Sequence, residues 1–334
     1  MKDILIFIAS LTLALSACTT GHIVHEPQKV GFIGPLSGGV SEWGIASLRG
    51  MQLAAEHTRI VAEDGKCKGP DAITAFHKLA DLQDIDMIFV TCSAETMAIA
   101  PLAAERGVTL FSGSTIPAAT DYSHVYRVSY SDADIAATLA GIIASEHDSV
   151  GIIYEETAYP AALKDAFLEE YDGEVYIEGY PQGTQDFRTQ VTKLIAQDPD
   201  AIFIDPDAIL AGLGILKQLH ELDYDGALYG NYFGSSSTVQ NVSYAQGLTY
   251  VADPDITDSP LKRNAYERYF EEYGDWPTLE FAFASGHDAM IVMEAVIDGV
   301  DIDSSVFTGI LGRFTFDGHG DMTGVDPSVK RVGR

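Results

Sequence analysis

Short apolar runs alternate with amphipathic stretches along most of this chain. The apolar runs are rich in β-branched residues and are typical of buried strands, whereas the stretches between them have helical spacing. This alternation predicts an α/β fold of parallel, doubly wound sheets with helices on both faces. The runs at 30–33 and 150–154 each open a similar series of elements, so we expect two lobes. Further strands are predicted at 87–90, 108–111, 201–204 and 227–229, and helices at 44–57, 71–82, 95–106, 133–146, 160–170, 187–197, 209–222, 260–273 and 280–298.

The first 18 residues stand apart from this pattern. Residues 4–17 are almost wholly apolar, but a run of that length is too short to span a bilayer, which needs roughly 20 residues. It is typical of a secretory signal. The ending Leu15-Ser16-Ala17-Cys18 resembles the bacterial lipobox, in which the cysteine is lipidated, and an ordinary signal peptide with a chance cysteine is the alternative. We expect 1–17 to be a signal peptide and 18–28 a tether lipidated at Cys18, which places the protein outside the cytoplasm.

The cysteines fit this interpretation. If Cys18 carries lipid, Cys67 and Cys92 remain as a pair. A pair with no other partner in an oxidising compartment favours a disulfide, and two buried free thiols are the alternative. No Cys/His cluster has zinc spacing, so we expect no structural metal. No Walker-type loop or dinucleotide fingerprint follows a strand and no Gly-x-Ser-x-Gly elbow is present, so we expect no cofactor and find no catalytic motif.

Composition and charge narrow the partners. Hydrophobic residues make up 46% of the chain, which indicates a packed globular protein of sufficient length for two domains. With 20 basic and 49 acidic residues, the net charge is −29. Nucleic acid is therefore excluded as an expected partner, because phosphate binding needs basic patches. An anionic lipid surface is disfavoured for the same reason.

Two neighbouring predicted strands are followed by small polar residues. The first leads into Thr91-Cys92-Ser93 and the second into Ser112-Gly113-Ser114-Thr115. In open α/β sheets, ligands bind beyond the carboxyl ends of the strands. Hydroxyl groups and helix-start amides at this edge predict a site for an anion such as a carboxylate. The alternative is ordinary helix capping by Ser93 and Thr115.

Several short motifs together resemble a known family. The motifs are Gly34-Pro35-Leu36-Ser37-Gly38, Trp43-Gly44, Gly50-Met51-Gln52-Leu53-Ala54, Cys92-Ser93, Gly286-His287-Asp288-Ala289 and Phe316-Asp317-Gly318-His319-Gly320-Asp321. Their order and spacing over residues 29–326 resemble the type I periplasmic binding proteins, in particular the leucine/isoleucine/valine-binding branch. The spacing of Cys67 and Cys92 also matches the disulfide of that branch.

The resemblance implies two α/β lobes joined by three hinge crossovers, with the ligand held in the cleft between them. We expect the crossovers near residues 129–131, 252–254 and 311–313. Lobe 1 would then comprise 29–130 plus 253–312, and lobe 2 would comprise 131–252 plus 313–334.

The resemblance also implies roles for individual residues. Trp43 would pack on the ligand, Ser93 would bind an α-carboxylate, and Gly113 and Thr115 would bind carboxylate and ammonium. Tyr159 would cover the ligand from the second lobe. An apolar wall is expected from Phe281 or Phe283.

One departure from the family pattern affects the choice of solute. The branch usually places an acid after the strand at 227–229, whereas this chain has Gly230-Asn231-Tyr232-Phe233. We count Tyr232 among the ligand-binding residues and expect Asp207 to substitute for the acid. If Asp207 does not serve, the ligand is not a free α-amino acid, because burying an unpaired ammonium would be costly.

These observations predict a lipid-anchored solute-binding protein that is not an enzyme. Its partners would be a small carboxylate-bearing solute, with a branched-chain or aromatic amino acid favoured, and a membrane permease of an ABC importer. A cell-envelope regulatory lipoprotein of the same fold, with no role in transport, is the alternative.

Overall fold

The computed structural model describes residues 27–333, so the predicted signal peptide and Cys18 lie outside it. The first sheet has the order β2-β1-β3-β4-β5 with all strands parallel, and the second has the order β14-β10-β9-β8-β6-β7. The strands of the first sheet are β1 (Lys29–Gly34), β2 (Arg59–Asp64), β3 (Met87–Val90), β4 (Thr109–Ser112) and β5 (Val125–Arg127). The remaining strands are β6 (Ser149–Glu155), β7 (Glu174–Tyr180), β8 (Ala201–Asp205), β9 (Ala227–Gly230), β10 (Thr249–Ala252), β11 (Phe307–Thr308), β12 (Arg313–Phe316), β13 (Met322–Thr323) and β14 (Ser328–Arg331).

Helices fill the connections between the strands, as the alternating pattern predicts. They are α1 (Ser41–Ala54), α2 (Gly69–His77), α3 (Ser93–Arg106), α4 (Asp132–Glu146), α5 (Ala158–Glu170), α6 (Arg188–Ile195), α7 (Ile209–Glu221), α8 (Ser237–Gln240), α9 (Pro260–Tyr273) and α10 (Glu280–Ile297). The parallel, doubly wound α/β prediction is confirmed. Within residues 27–333, no helix combines the length and apolar character needed to cross a membrane.

A close helix crossing explains two of the glycine motifs. Helices α1 and α10 pack against each other at Gly50 and Gly286. A Cβ on Gly50 would lie 2.1 Å from the carbonyl oxygen of Phe283, and a Cβ on Gly286 would lie 2.1 Å from that of Ser47. Only glycine permits this approach, which places the N-terminal ends of both helices at the same edge of the first sheet.

The chain passes between the two sheets at three places. It leaves β5 for α4, and it leaves β10 for α9. The third passage follows β13, because β14 is the next element and pairs antiparallel with β10 of the second sheet.

The predicted position of the third passage, near 311–313, is wrong, and so is the assignment of 313–323 to lobe 2. Strand β12 pairs with β11 and β13 in a small antiparallel sheet. This sheet packs beside β5, where the ring centroids of Phe316 and Tyr126 are 5.4 Å apart. Arg127 Nε also donates to Asp321 Oδ1 at 2.8 Å. Apolar and ionic contacts therefore keep this segment against the first sheet.

Candidate functional site

A cavity of about 410 Å³ lies where the carboxyl ends of both sheets face each other. Its first wall is built on the first sheet by α1, the start of α3 and the loop after β4. Its second wall is built on the second sheet by the start of α5 and the loops after β8 and β9. All seven residues predicted to bind ligand line this one cavity: Trp43, Ser93, Gly113 and Thr115 on the first wall, and Tyr159, Asp207 and Tyr232 on the second.

The first wall carries a connected set of hydroxyl groups. Ser93 Oγ lies 2.8 Å from Ser114 Oγ. Ser114 Oγ also accepts from the backbone N–H of Ile116 at 3.2 Å, and the backbone N–H of Ser114 donates to Ser112 Oγ at 3.1 Å. Ser93 opens α3, whose first-turn amides have no partner within the helix and favour an anion. The wall can therefore supply several fixed donors to one carboxylate.

The capping alternative for Ser93 and Thr115 is wrong. The N-cap of α3 is Cys92, and Ser93 is already the first helical residue. Thr115 precedes no helix directly, since the short 3-10 turn Pro117–Asp121 has Ile116 at its N-cap. The two side chains are therefore not consumed as helix caps.

The predicted disulfide is confirmed and forms part of the first wall. Cys67 and Cys92 are bonded, with Cα atoms 5.4 Å apart. Both cysteines line the cavity, as do Lys68 and Pro70 beside them. Beneath them, the Glu95 carboxylate accepts from the backbone N–H of Cys67 at 2.8 Å, and burial raises the Glu95 pKa to about 7.

Aromatic rings close the cavity from both walls. The Trp43 and Tyr232 ring centroids are 5.1 Å apart, and the Tyr232 and Tyr159 centroids are 5.5 Å apart. Trp43 and Tyr159 therefore lie on opposite walls, as the resemblance implies, with Tyr232 in contact with both. Phe281 completes the apolar lining, with its ring 5.0 Å from that of Tyr130.

Phe283, the other candidate for the apolar wall, does not line the cavity. It is buried between Tyr266 and Tyr269 on the far side of α10. Phe281 and Phe283 are two positions apart in α10, so their side chains project from different faces of the helix.

Asp207 lines the second wall but already has hydrogen-bond partners. Its Oδ2 accepts from Thr157 Oγ1 at 2.9 Å, and its backbone carbonyl accepts from the Tyr232 hydroxyl at 2.6 Å. Its backbone N–H donates to Glu155 Oε2 at 3.1 Å. Burial raises the Asp207 pKa to about 6.

Asn231 lies in the segment after β9, where the family pattern has an acid, and it serves the fold. Its side-chain amide donates to Asp205 Oδ1 at 2.6 Å and to the Pro206 carbonyl at 2.9 Å. Asn231 is fully buried and does not line the cavity. It fixes the loop after β8, which carries Asp207.

Further residues of the site follow no motif in the sequence. Tyr130 lines the cavity from the passage between β5 and α4, and its hydroxyl donates to Asp253 Oδ1 at 2.6 Å. Gln182 and Lys68 line it as well. Asp132 and Asp205 lie buried behind the lining. Tyr130, Asp132 and Asp253 lie in the predicted interlobe crossovers or within a residue of one. The only sequence signal for these three residues is that the crossovers are expected beside a cleft.

Comparisons with known proteins agree with this architecture. The family model described as periplasmic binding protein matches residues 27–307. The Leu/Ile/Val-binding protein BraC3 of Rhizobium johnstonii is 22% identical over 338 residues, covering 90% of this chain and 90% of that protein.

Two solved structures illustrate the same likeness. A leucine binding protein from Thermotoga maritima has a TM-score of 0.79 at 24% identity, and the match covers 91% of this chain and 99% of the other. An ABC transporter solute binding protein from R. palustris, in complex with benzoate, has a TM-score of 0.78 at 18% identity, with 91% and 92% covered. At these identities, the likeness establishes a shared fold.

Proposed function

The chain belongs to the periplasmic binding protein family, and from that premise we propose that it captures a small carboxylate-bearing solute for an ABC importer. The solute lies in the cavity between the two sheets and is an amino acid with a branched-chain or aromatic side chain. The protein presents it to a membrane permease. The family consists of solute-binding proteins rather than enzymes, which agrees with the absence of catalytic motifs in the sequence.

The observation that carries the proposal is the convergence of all seven predicted residues on one cavity. Its volume of about 410 Å³ falls within the usual range for small-molecule sites. One wall offers serine hydroxyls and helix-start amides for a carboxylate. The rings of Trp43, Tyr159, Tyr232 and Phe281 offer apolar area for the body of the solute.

The ligands of the structural neighbours share the group that this wall fits. One neighbour is a leucine binding protein and another holds benzoate. Leucine and benzoate have a carboxylate in common and differ in the ammonium. The Ser93–Ser114 pair is suited to the shared group, so the proposal begins with the carboxylate.

Capture would proceed by closure of the two lobes. Trp43 and Tyr232 lie on opposite walls, and their ring centroids are 5.1 Å apart across the cavity. A solute that contacts both walls binds the closed arrangement better than the open one and shifts the population toward it. The permease would then recognise the closed form.

The N-terminal segment supports an extracytoplasmic location. Relatives of the chain are named as Leu/Ile/Val-binding proteins, and the family description is periplasmic. We propose that the signal peptide 1–17 is removed and that lipid on Cys18 tethers the protein through residues 18–28. Mass spectrometry of the mature N-terminus tests this directly, because Cys18→Ala should abolish the lipid mass.

A regulatory lipoprotein of the same fold is the competing function. Such a protein would have no need of an aromatic-lined cavity with carboxylate donors. The cavity residues therefore favour solute capture, and the binding experiment below separates the two.

Calorimetric titration tests the proposal with four compounds: leucine, phenylalanine and the corresponding deaminated acids. We expect at least one to bind with a dissociation constant in the micromolar range or below. Asp207→Asn should change affinity for the amino acids only if Asp207 faces their ammonium. Failure of all four compounds to bind would contradict the proposal and favour the regulatory role.

A further inference from the structure

A buried carboxylate lies directly behind the first wall of the cavity. Asp132 is the first residue of α4 and is 0% exposed. Its backbone N–H donates to the Thr115 carbonyl at 2.7 Å, which fixes the two residues side by side. Within residues 27–333, no donor meets strict hydrogen-bond geometry with either carboxylate oxygen of Asp132. A buried carboxylate without partners is costly unless a proton or a cation accompanies it.

Thr115 connects this carboxylate to the cavity. Burial raises the Asp132 pKa to about 7, and the Thr115 side chain is close enough to oppose that rise by hydrogen bonding. A hydroxyl has one proton to donate. If Thr115 gives that proton to Asp132, its oxygen can only accept from the ligand. Thr115 then faces an N–H group, not a carboxylate.

Tyr159 on the opposite wall has the same shortage of partners. Its hydroxyl oxygen is buried and, in the part of the chain that the structure describes, meets no hydrogen-bond partner. Asp132 and Asp205 both lie near enough to raise its pKa further, after burial itself. Asp205 is fully buried, and its Oδ2 is also unpartnered among the described residues.

The basic side chains near these groups are already engaged. Arg127 acts on Asp132, yet it pairs with Asp321 and donates to the carbonyls of Thr115 and Ile116 at 2.8 Å each. Lys164 acts on Asp205 but pairs with Asp165. The remaining neighbours of Tyr159 are Tyr130 and Tyr232, which carry no positive charge.

Asp207 differs from Asp132 in this respect. Asp207 already accepts a well-aligned hydrogen bond from Thr157, whereas the Asp132 carboxylate has only the poorly aligned Thr115 hydroxyl near it among the described residues. A positively charged group of the ligand would therefore be stabilised more beside Thr115, near Asp132, than beside Asp207.

We propose that Asp132, acting through Thr115, makes the cavity select ligands that carry an ammonium group. The cavity then takes a zwitterionic α-amino acid in preference to a simple carboxylate such as a benzoate. Asp132 is a positioning residue, because it does not line the cavity and Thr115 lies between it and the ligand. The inference rests on the proposed function and narrows its solute class. Without a cationic ligand, a pKa of about 7 leaves the Asp132 carboxyl partly protonated at pH 7. When an ammonium binds beside Thr115, that proton leaves to solvent and the carboxylate stays ionised.

Calorimetry on the full-length protein tests the assignment with leucine and its deaminated analogue, 4-methylpentanoate. The wild-type protein should bind leucine about tenfold to a hundredfold more tightly than the analogue, as expected when an unpaired charged group is left behind. Asp132→Asn should remove most of that preference by weakening leucine and leaving the analogue unchanged or stronger. Glu294→Gln is the matched control, because Glu294 is a buried carboxylate at the far end of α10 that caps the backbone N–H groups of Glu56 and His57.

A second readout separates recognition from a structural role. Titrations at pH 7 in two buffers of different ionisation enthalpy should show proton release with leucine and none with 4-methylpentanoate. Asp132→Asn should abolish the release, and a thermal melt should show that the variant is folded. If the variant does not fold, proton release by the wild-type protein decides alone.

The outcomes distinguish the two levels of the proposal. Equal affinity for leucine and its analogue, an unchanged preference in folded Asp132→Asn, or leucine binding without proton release would each overturn the role of Asp132 while leaving solute capture intact. Binding of neither compound, nor of phenylalanine, would instead count against the proposed function itself.

Discussion

Two sets of polar side chains at the cavity are satisfied in different ways. Hydroxyls of the first wall bond to one another, as in the Ser93–Ser114 pair and the Thr96–Ser112 pair at 2.9 Å behind it. Asp132 behind that wall, Asp205 behind the second wall and the Tyr159 hydroxyl retain oxygens without partners among the described residues. Donors that are already fixed are prepared for an anion, and excess acceptors need a cation.

The difference follows from how the chain builds each side. The first wall comes from two consecutive strand ends, β3 and β4, whose loops are held by their own hydrogen bonds. The carboxylates come from separate places: Asp132 follows a passage between sheets, and Asp205 ends a strand of the second sheet. Their proximity exists only after the two sheets have come together.

The largest effect should come from breaking the support of the first wall. Arg127 is fully buried and holds the 115–117 loop through three carbonyl groups while it pairs with Asp321. We expect Arg127→Met to lower the free energy of unfolding by about 3–5 kcal/mol, because it leaves the Asp321 carboxylate without its charge partner and these carbonyl groups without a donor. Chemical denaturation measures this.

Arg188→Met is the control for that variant, since Arg188 pairs with Asp186 and Glu221 at the surface. Arg188→Met should lower the free energy of unfolding by about 0–1 kcal/mol. Equal losses in the two variants would show that Arg127 does not organise the wall.

The disulfide should give the next largest effect. Removing it by Cys67→Ser with Cys92→Ser should lower stability by about 3 kcal/mol, because a closed loop spanning 25 positions restricts the unfolded chain. Solute affinity should also fall, since both residues line the first wall. A thermal melt with and without bound solute measures both effects; an unchanged affinity would mean that the wall holds its shape without the bond.

The sequence predicts the first wall better than the carboxylates behind the cavity. Central strands such as β3 and β4 are continuous apolar runs, and the small polar residues after them could be assigned to a cleft. Edge strands β2 and β7 are exposed or half-buried along almost their whole length, so apolar runs do not reveal them. The position of the β12–β13 hairpin beside β5 depends on tertiary contacts, which the local sequence pattern does not indicate.

The carboxylates show the same limit. Asp132 looks like an ordinary helix-start acid, and Asn231 looks like a missing ligand contact. Only the packed structure shows that Asp132 lies unpartnered beside Thr115 and that Asn231 binds Asp205. Asp207 lines the cavity, yet no spacing in the sequence indicates its hydrogen bond to Thr157.

Ser93→Ala tests the anion side of the comparison. Losing a hydrogen bond to a charged carboxylate should weaken binding by about 1.5–3 kcal/mol. The loss should be similar for leucine and for 4-methylpentanoate, because both carry the carboxylate. Calorimetry with the two ligands checks this, and an unchanged affinity would mean that Ser93 only supports Ser114.

The pH dependence of binding tests the cation side and should be the smallest effect. Burial raises the Asp132 pKa to about 7, so the carboxyl holds a proton below that pH and loses it above. A proton competes with the ligand ammonium, and leucine affinity should therefore fall about tenfold between pH 8 and pH 6. Asp132→Asn should flatten the profile; a profile that is already flat in the wild-type protein would remove Asp132 from the account.

The most direct test of the central claim is to identify what the cavity holds. Protein purified under native conditions can be denatured, and the released small molecules can be identified by mass spectrometry. We predict an α-amino acid with a branched-chain or aromatic side chain, released in a ratio approaching one per protein and lost from the Trp43→Ala variant. Release of a carboxylate without an amino group would contradict the cation requirement, and a protein that carries no small molecule and binds none on addition would contradict solute capture.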